Sequence, residues 1–327
     1  MPNYHGQHHY LLYGRETTYG TAVATSLDVG LVQSFTLNGN MNWKREWSLG
    51  NIDLQAMVSG KLDLTGSMEF LFQHGRIIEE ITGGTTTHAE TTGDWRHTFV
   101  FADDVASMSI REGVDASSDI EFLLKGVVLN SLTLSLALDG VLRGRADFNV
   151  RDVDPSGTTA SAQTISTLTV LPDFFGTVSF GVAGSEVAKA SVKSLEFTIR
   201  NDGAGEMRDW GLDAKKAAAS IPNQRQIEFR FSLTFQDVTE WNRFLGATTG
   251  VLDDGTEIAN SGLIIDINNG VVLGSGRRDI YIDLSNVVIN TVTKPVNIGG
   301  YIVQDFAGYA RTVDSLRTTD NIADTSW

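Results

Sequence analysis

Cysteine is absent from the 327 residues. That absence removes disulfide frameworks, thiolate-bound zinc, iron–sulfur clusters and cysteine nucleophiles together. Basic charge is also scarce: 25 Lys and Arg face 40 Asp and Glu, for a formal net charge of −15. Sequence-independent affinity for nucleic acid comes from Lys and Arg displacing counterions from phosphates, so a tight grip on DNA is not expected. No stretch approaches the ~18 consecutive apolar residues of a membrane helix, and no membrane partner is expected. Met1-Pro2-Asn3-Tyr4-His5 lacks a basic segment leading into an apolar run, so no secretory signal is expected.

Chemistry-bearing patterns are thin as well. Of the six histidines, His5, His8 and His9 cluster at the start of the chain, but no carboxylate motif accompanies them, and they read as a solvated arm instead of a metal site. Asp152-Val153-Asp154-Pro155-Ser156-Gly157 opens like a calcium loop, yet the position that needs Glu holds Gln163, so a linker turn is expected. Gly274-Ser275-Gly276-Arg277-Arg278 has neither the Lys-Ser/Thr ending of a P-loop nor the G-x-S-x-G spacing of a nucleophile elbow. Asp103-Asp104 and Asp253-Asp254-Gly255 sit among turn residues as solvated acids. No nucleophile stands out, so no catalytic residue, cofactor or metal is expected, and the chain does not read as an enzyme.

What the sequence does contain is itself, twice. Arg45, Trp47, Leu49, Phe72, Gln73 and Gly83 are matched by Arg208, Trp210, Leu212, Phe235, Gln236 and Gly246 at one separation (210 − 47 = 163). Asp119-Ile120, Val127-Val128-Leu129-Asn130 and Gly140 are matched by Asp279-Ile280, Val287-Val288-Ile289-Asn290 and Gly300 (290 − 130 = 160). Two matched blocks in one order predict two tandem copies of a single fold. The expected units are 1–155, an N-terminal arm plus the first copy, and 156–327, a linker, the second copy and a tail.

The pattern within each unit is that of strands. From Lys61 to Phe72, apolar Leu62, Leu64, Met68, Phe70 and Phe72 alternate with polar residues, as a half-buried antiparallel strand requires. A short helix is expected from about Arg76 to Thr82, stopped by Gly83-Gly84. The matching helix is signalled by Asp237-Val238-Thr239-Glu240, a capping-box-like start. Strands are also expected over 31–37, 97–101, 107–112, 120–124, 127–138 and 142–151, with a turn at Asp139-Gly140. Residues 85–96 read as a Thr-rich loop, 152–169 as a linker, and 314–327 as a polar tail that is mobile unless Trp327 docks. The segment 38–59 is long enough to read as an interaction loop or extended hairpin. Its counterpart 201–225 is read as an interaction loop that differs in detail, since Asp213-Ala214-Lys215-Lys216-Ala217-Ala218-Ala219 favours a helical turn. The fold class is therefore mainly β: two antiparallel sandwich or barrel-forming units, each with one short helix.

Three stretches carry a family resemblance: Tyr13-Gly14-Arg15-Glu16-Thr17-Thr18-Tyr19-Gly20-Thr21, the Gly60–Phe72 strand entering its helix, and Lys125-Gly126-Val127-Val128-Leu129-Asn130-Ser131-Leu132-Thr133-Leu134 with its Asp139-Gly140 turn. Together they resemble the tail tube proteins of tailed bacterial and archaeal viruses. The resemblance implies a β-sandwich flanked by a helix, rings whose inner sheets join, and rings stacked into a hollow tube through which the genome leaves. With two copies per chain, three chains would close a pseudo-sixfold ring. The implied partners are the chain itself, other tail proteins such as the terminator, tape measure and tail tip or baseplate, and viral DNA passing without tight binding. The implied location is the virion tail, assembled in the host cytoplasm. Trp43, Trp47 and Trp210 are the ring-stacking candidates, and Asp63, Glu69 and Glu228 the lumen-facing ones. Two other readings stay open: the inner tube of a bacterial contractile injection or secretion system, and a receptor- or carbohydrate-binding fibre module.

Overall fold

The computed structural model describes residues 9–114, 120–155, 168, 170–172, 175–189, 192–203, 206–211, 214–221, 223–235, 239–244, 261–295 and 302–322. In the N-terminal half the elements run β1 (His9–Arg15), β2 (Leu31–Asn40), β3 (Lys44–Glu46), β4 (Ala56–Val58), β5 (Asp63–Leu71), α1 (Arg76–Thr82), β6 (Thr87–Thr91), β7 (Asp94–Thr98), β8 (Met108–Val114), β9 (Ile120–Ala137), β10 (Arg143–Val150) and β11 (Asp152–Asp154). The C-terminal half continues with β12 (Thr177–Val182), β13 (Ser185–Ala188), β14 (Val192–Arg200), β15 (Arg208–Asp209), β16 (Ala219–Ser220), β17 (Gln226–Thr234), α2 (Thr239–Phe244), β18 (Ser261–Asn268), β19 (Asp279–Thr293) and β20 (Val303–Asp320). The chain is mainly β, and every strand pairing is antiparallel.

Strand order repeats between the halves. Pairing runs β1-β8-β9-β10-β5-β2 in the first and β12-β18-β19-β20-β17-β14 in the second. Strands β5 and β17 occupy matched positions (226 − 63 = 163 and 234 − 71 = 163). Register repeats too: Arg145 faces Glu69 and Asp147 faces Ser67, just as Asp305 faces Ser232 and Ala307 faces Arg230. Even the irregularities coincide. The β2 ladder slips between Val32 and Ser34 and the β14 ladder between Val192 and Ser194 (192 − 32 = 160). Asn130 and Asn290 are each skipped in the ladder to the following strand. A bulge bends its strand and fixes its register, which explains why these two asparagines stood out in the sequence comparison.

Alternation decides which face is buried. Met68, Phe70, Leu132, Leu134, Phe148, Phe197, Phe229, Phe231 and Phe306 lie on one side of the sheet and are nearly inaccessible. Helix α1 adds Ile77, Ile78 and Ile81 to that core and packs on β9. It stops where Gly83 adopts φ 71° and returns its N–H to the Glu79 carbonyl at 2.9 Å, a left-handed cap that glycine tolerates without strain.

Five expectations change. The helical turn expected over 213–219 is absent from its described part: residues 214–218 carry no helix, and Ala219 enters β16 because it pairs with Asp209 of β15. The Thr-rich segment is the β6–β7 hairpin, turned at Thr92 and Gly93, both with positive φ; β-branched threonines favour the extended state. The two strands expected over 120–138 are one, bent at Gly126 (φ 62°), where a Cβ would lie 2.7 Å from that of Arg151. Residues 152–154, expected to be part of a linker, are β11, paired to β9. The expected tail is strand as far as Asp320, because Leu316, Thr318, Thr319 and Asp320 are buried between β19 and β7. The arm also belongs to the fold from His9 onward: Tyr10 and Tyr13 are buried on β1. Tyr4, Asp237, Val238 and Trp327 lie outside the described residues.

Candidate assembly interfaces

One sheet runs through both halves because β14 pairs with the C-terminal part of β9. The register runs from Arg200 opposite Ser131 to Ser194 opposite Ala137. Backbone bonds bracket it, Asn201 N–H to the Asn130 carbonyl at 2.8 Å and Leu138 N–H to the Lys193 carbonyl at 2.9 Å. Leu132, Leu134 and Leu136 meet Ile199, Phe197 and Leu195 on the buried side of this seam.

The β15–β16 hairpin crosses the seam and lies on the N-terminal half. Arg208 Nη1 donates to Asp63 at 2.6 Å and to the Leu64 carbonyl at 3.4 Å, while its Nε reaches Glu206 at 2.7 Å. Burial opposes the Arg208 charge, but Glu206 and Asp63 outweigh it and raise the pKa beyond the ordinary arginine value. Trp210 lies under both Arg208 and Lys61, with the cations 5.2 and 5.0 Å from its ring centroid. Ala217, 1% exposed, offers its carbonyl to Arg151 Nε at 3.0 Å. Lys216 reaches Asp152 at 2.6 Å; burial alone would raise that carboxyl, but Lys216 and Lys125 hold it below the usual carboxylate range. Further ties cross between the halves. Asp94 accepts the N–H groups of Gly274, Gly276 and Arg277 at 2.7, 3.1 and 3.0 Å, and His97 lies 3.1 Å from Asp320.

Several strand edges are open among the described residues, β6 and β13 included, and two of them belong to the counterparts of the seam strands. On β2, the side away from β5 carries no ladder. On β19, the side that pairs with β18 is occupied only from Asp279 to Ser285, leaving Asn286–Thr293 unpaired there. These are the strands that correspond by order and register to β14 and β9.

The β3–β4 hairpin corresponds to β15–β16. Arg45 faces Met57 and Glu46 faces Ala56, as Arg208 faces Ser220 and Asp209 faces Ala219, all at a separation of 163 (208 − 45 and 220 − 57). Unlike its counterpart it projects into solvent. Trp43 is 52% and Trp47 60% exposed, with Leu49, Ile52, Met57 and Val58 also open. Of the three tryptophans singled out from sequence, Trp43 and Trp47 therefore share this projecting hairpin, whereas Trp210 is packed at the seam.

Opposite the core, the continuous sheet presents a polar face. Glu69 pairs with Arg145 at 3.2 Å, Arg145 with Asp147 at 3.0 Å, and Glu228 stands across from Thr198 and Tyr309. Asp63, on the same face of β5, is engaged by Arg208 at the sheet end. Acids and bases alternate here, because Arg143, Arg200 and Arg230 share the face with Glu196 and Asp305. A concavity of about 590 Å³ lies along it, lined in part by Ser135, Arg143, Glu196, Arg230, Thr293 and Asp305.

Several polar residues singled out by the sequence have partners within the fold. His9 is hydrogen-bonded to Glu112, and the described residues hold no His, Asp and Glu grouping arranged for a metal. His5 and His8 lie outside the described residues. Asp152 and Asp154 meet Lys125 at 3.6 and 3.7 Å. Glu16 was missed in the sequence reading. Its carboxylate accepts from Gly20 N–H, Ser107, Ser109 and Gly126 N–H at 2.7 to 2.9 Å, tying the Thr17–Thr21 turn to the bend of β9. The signal was its place inside the Tyr13–Thr21 motif.

Compared with known families, the chain matches the model of the phage tail tube protein family over residues 6–310. No curated protein matches it. The chain belongs to the phage tail tube protein family and is a structural component of the virion tail.

Proposed function

We propose that this phage tail tube protein carries the tube fold twice, in units 1–155 and 156–327, and that three chains close a pseudo-sixfold ring. Rings then stack into the hollow conduit for DNA ejection, assembled in the host cytoplasm with the terminator, tape measure and tail tip or baseplate as neighbours. The carrying observation is the β14–β9 seam, flanked by an open β2 and an open β19 of the same order and register. Moving the seam by 160 residues sets Asn38 opposite Thr293 and Asn40 opposite Thr291 of a second copy (198 − 160 = 38 and 133 + 160 = 293). The Leu138 N–H bond to Lys193 puts even-numbered β9 residues toward β14, so Ser135 turns its N–H to β10. Pro295, at the Ser135 position, thus lacks a donor only toward β20 and leaves the open edge free to pair. Such pairing satisfies edge groups that would otherwise template uncontrolled strand addition.

On this reading the polar face of the sheet lines the bore, with Glu69 and Glu228 along it and Asp63 at its end. Mixed charge on that wall, in a chain of net charge −15, avoids the counterion-release grip that would hold DNA in place. Trp43 and Trp47 are candidates for contacts between copies. Stacking is heterologous, one ring surface meeting a different one, so it grows a filament. Electron microscopy of the purified protein tests the proposal: hollow tubes with three chains per ring are expected, and rings of six separate chains or discrete solid particles would overturn it.

A further inference from the structure

The two hairpins have the same register and different fates. In the second half, β15–β16 is covered by the first half of its own chain; in the first, no such body lies beside β3–β4 among the described residues, and Trp47 is 60% exposed. A second copy of the chain offers a body of that kind.

We propose that the β3–β4 hairpin of one chain straps sideways onto the C-terminal half of the next chain in a ring, seating Arg45 and Trp47 at the start of β17 and residues 52–54 beside Arg311. This rests on the ring reading above and specifies its lateral contact. The β15–β16 contacts provide the template. Asp63 and Leu64, which receive Arg208, correspond to Gln226 and Ile227 (63 + 163 = 226). Arg151, which donates to the Ala217 carbonyl, corresponds to Arg311 (151 + 160 = 311), and Ala217 corresponds to Leu54 (217 − 163 = 54). Both arginines of the template thus recur, Arg45 for Arg208 and Arg311 for Arg151. The landing surface is uncovered: Arg311 and Thr312 are exposed, whereas Arg151 and Asp152 are half-buried under β15–β16.

The replaced residues give the contact its character. Lys215 and Ala217 become Ile52 and Leu54, Ser220 becomes Met57, and the Asp63 acceptor becomes the neutral Gln226 amide. The strap between chains is therefore more apolar and less dependent on ion pairs than the one within a chain. Burying a large aromatic such as Trp47 is how a few residues dominate an interface.

The cysteine-free background permits a direct test. Asp53→Cys with Thr312→Cys, the counterparts of Lys216 and Asp152, is treated with a short bis-maleimide on full-length protein in salt that separates rings without dissociating them. Closed three-chain products from isolated rings are expected, and Lys216→Cys with Asp152→Cys should cross-link only within one chain. Trp47→Ala should weaken trimer formation at least about tenfold in native mass spectrometry. Cross-links seen only in stacked tubes, or trimers unaffected by Trp47→Ala, would show that the hairpin reaches along the tube axis and overturn the proposal. Absence of trimers from the unsubstituted protein would remove the ring reading and this inference with it.

Discussion

Thr133 and Thr198 stand directly opposite one another across the seam, their hydroxyl oxygens 3.0 Å apart. They sit at a position where neither backbone bonds the other, since the even-numbered residues of β9 make those bonds. Opposed residues in such pairs approach most closely, within the span a disulfide requires. Their counterparts, Asn38 and Thr293, belong to edges that are open in the single chain.

From this follows the sharpest check on ring closure. Asn38→Cys with Thr293→Cys, mildly oxidised, should give covalent products that stop at three chains on non-reducing gels, while Thr133→Cys with Thr198→Cys should close within one chain. A ladder continuing to six would contradict the trimer, and absence of any cross-link would contradict the register.

Glu16 links three segments through four hydrogen bonds while only 8% exposed. Glu16→Ala leaves those donors without an acceptor and should destabilise by about 2–4 kcal/mol, read as a lowered denaturation midpoint. Glu16→Gln should lose less, because it keeps one acceptor oxygen.

Burial pushes the Glu80 carboxyl up from 4.5 to about 8, with Arg15 lowering it and Glu79 raising it further; its Oε2 has no hydrogen-bond partner. The unfolded chain ionises this group near 4.5 while the folded chain keeps it protonated, so stability falls as pH rises through that window and levels off above about 8. Each pH unit inside the window removes up to about 1.4 kcal/mol. Glu80→Gln should flatten the profile and raise the melting temperature at pH 8 more than at pH 5.

Charge on the polar face should set how freely DNA passes. Glu69→Lys with Glu228→Lys should leave tube formation intact but add salt-sensitive retention of duplex DNA, falling at least about tenfold between about 50 and 200 mM salt. Equal retention by substituted and unsubstituted tubes would remove these residues from the bore.

Much of this fold was legible because its signals are local. Alternation marked β5 and β10, and the Gly83 stop ended α1 at Thr82. The repeat of Asn130 as Asn290 was visible because both must serve the same bulge. The Thr-rich hairpin and the C-terminal end of β20 were not visible, since what makes them strands is pairing with β7 and β19, far away in sequence. Trp47 and Trp210 illustrate the limit at the interfaces. Both were picked out as equals, and nothing in either neighbourhood says that one is packed at the seam and the other exposed.

The sequence alone determined the strand-rich class, the two matched blocks and the lack of thiol or membrane-helix chemistry, because composition and short-range periodicity express these directly. Which edge meets which, that β14 docks on β9, and that β2 and half of β19 stay open were decided only in three dimensions. Strand pairing brings together backbone groups separated by many residues, and every strand carries the same N–H and C=O groups, so the choice of partner rests on how the whole chain packs.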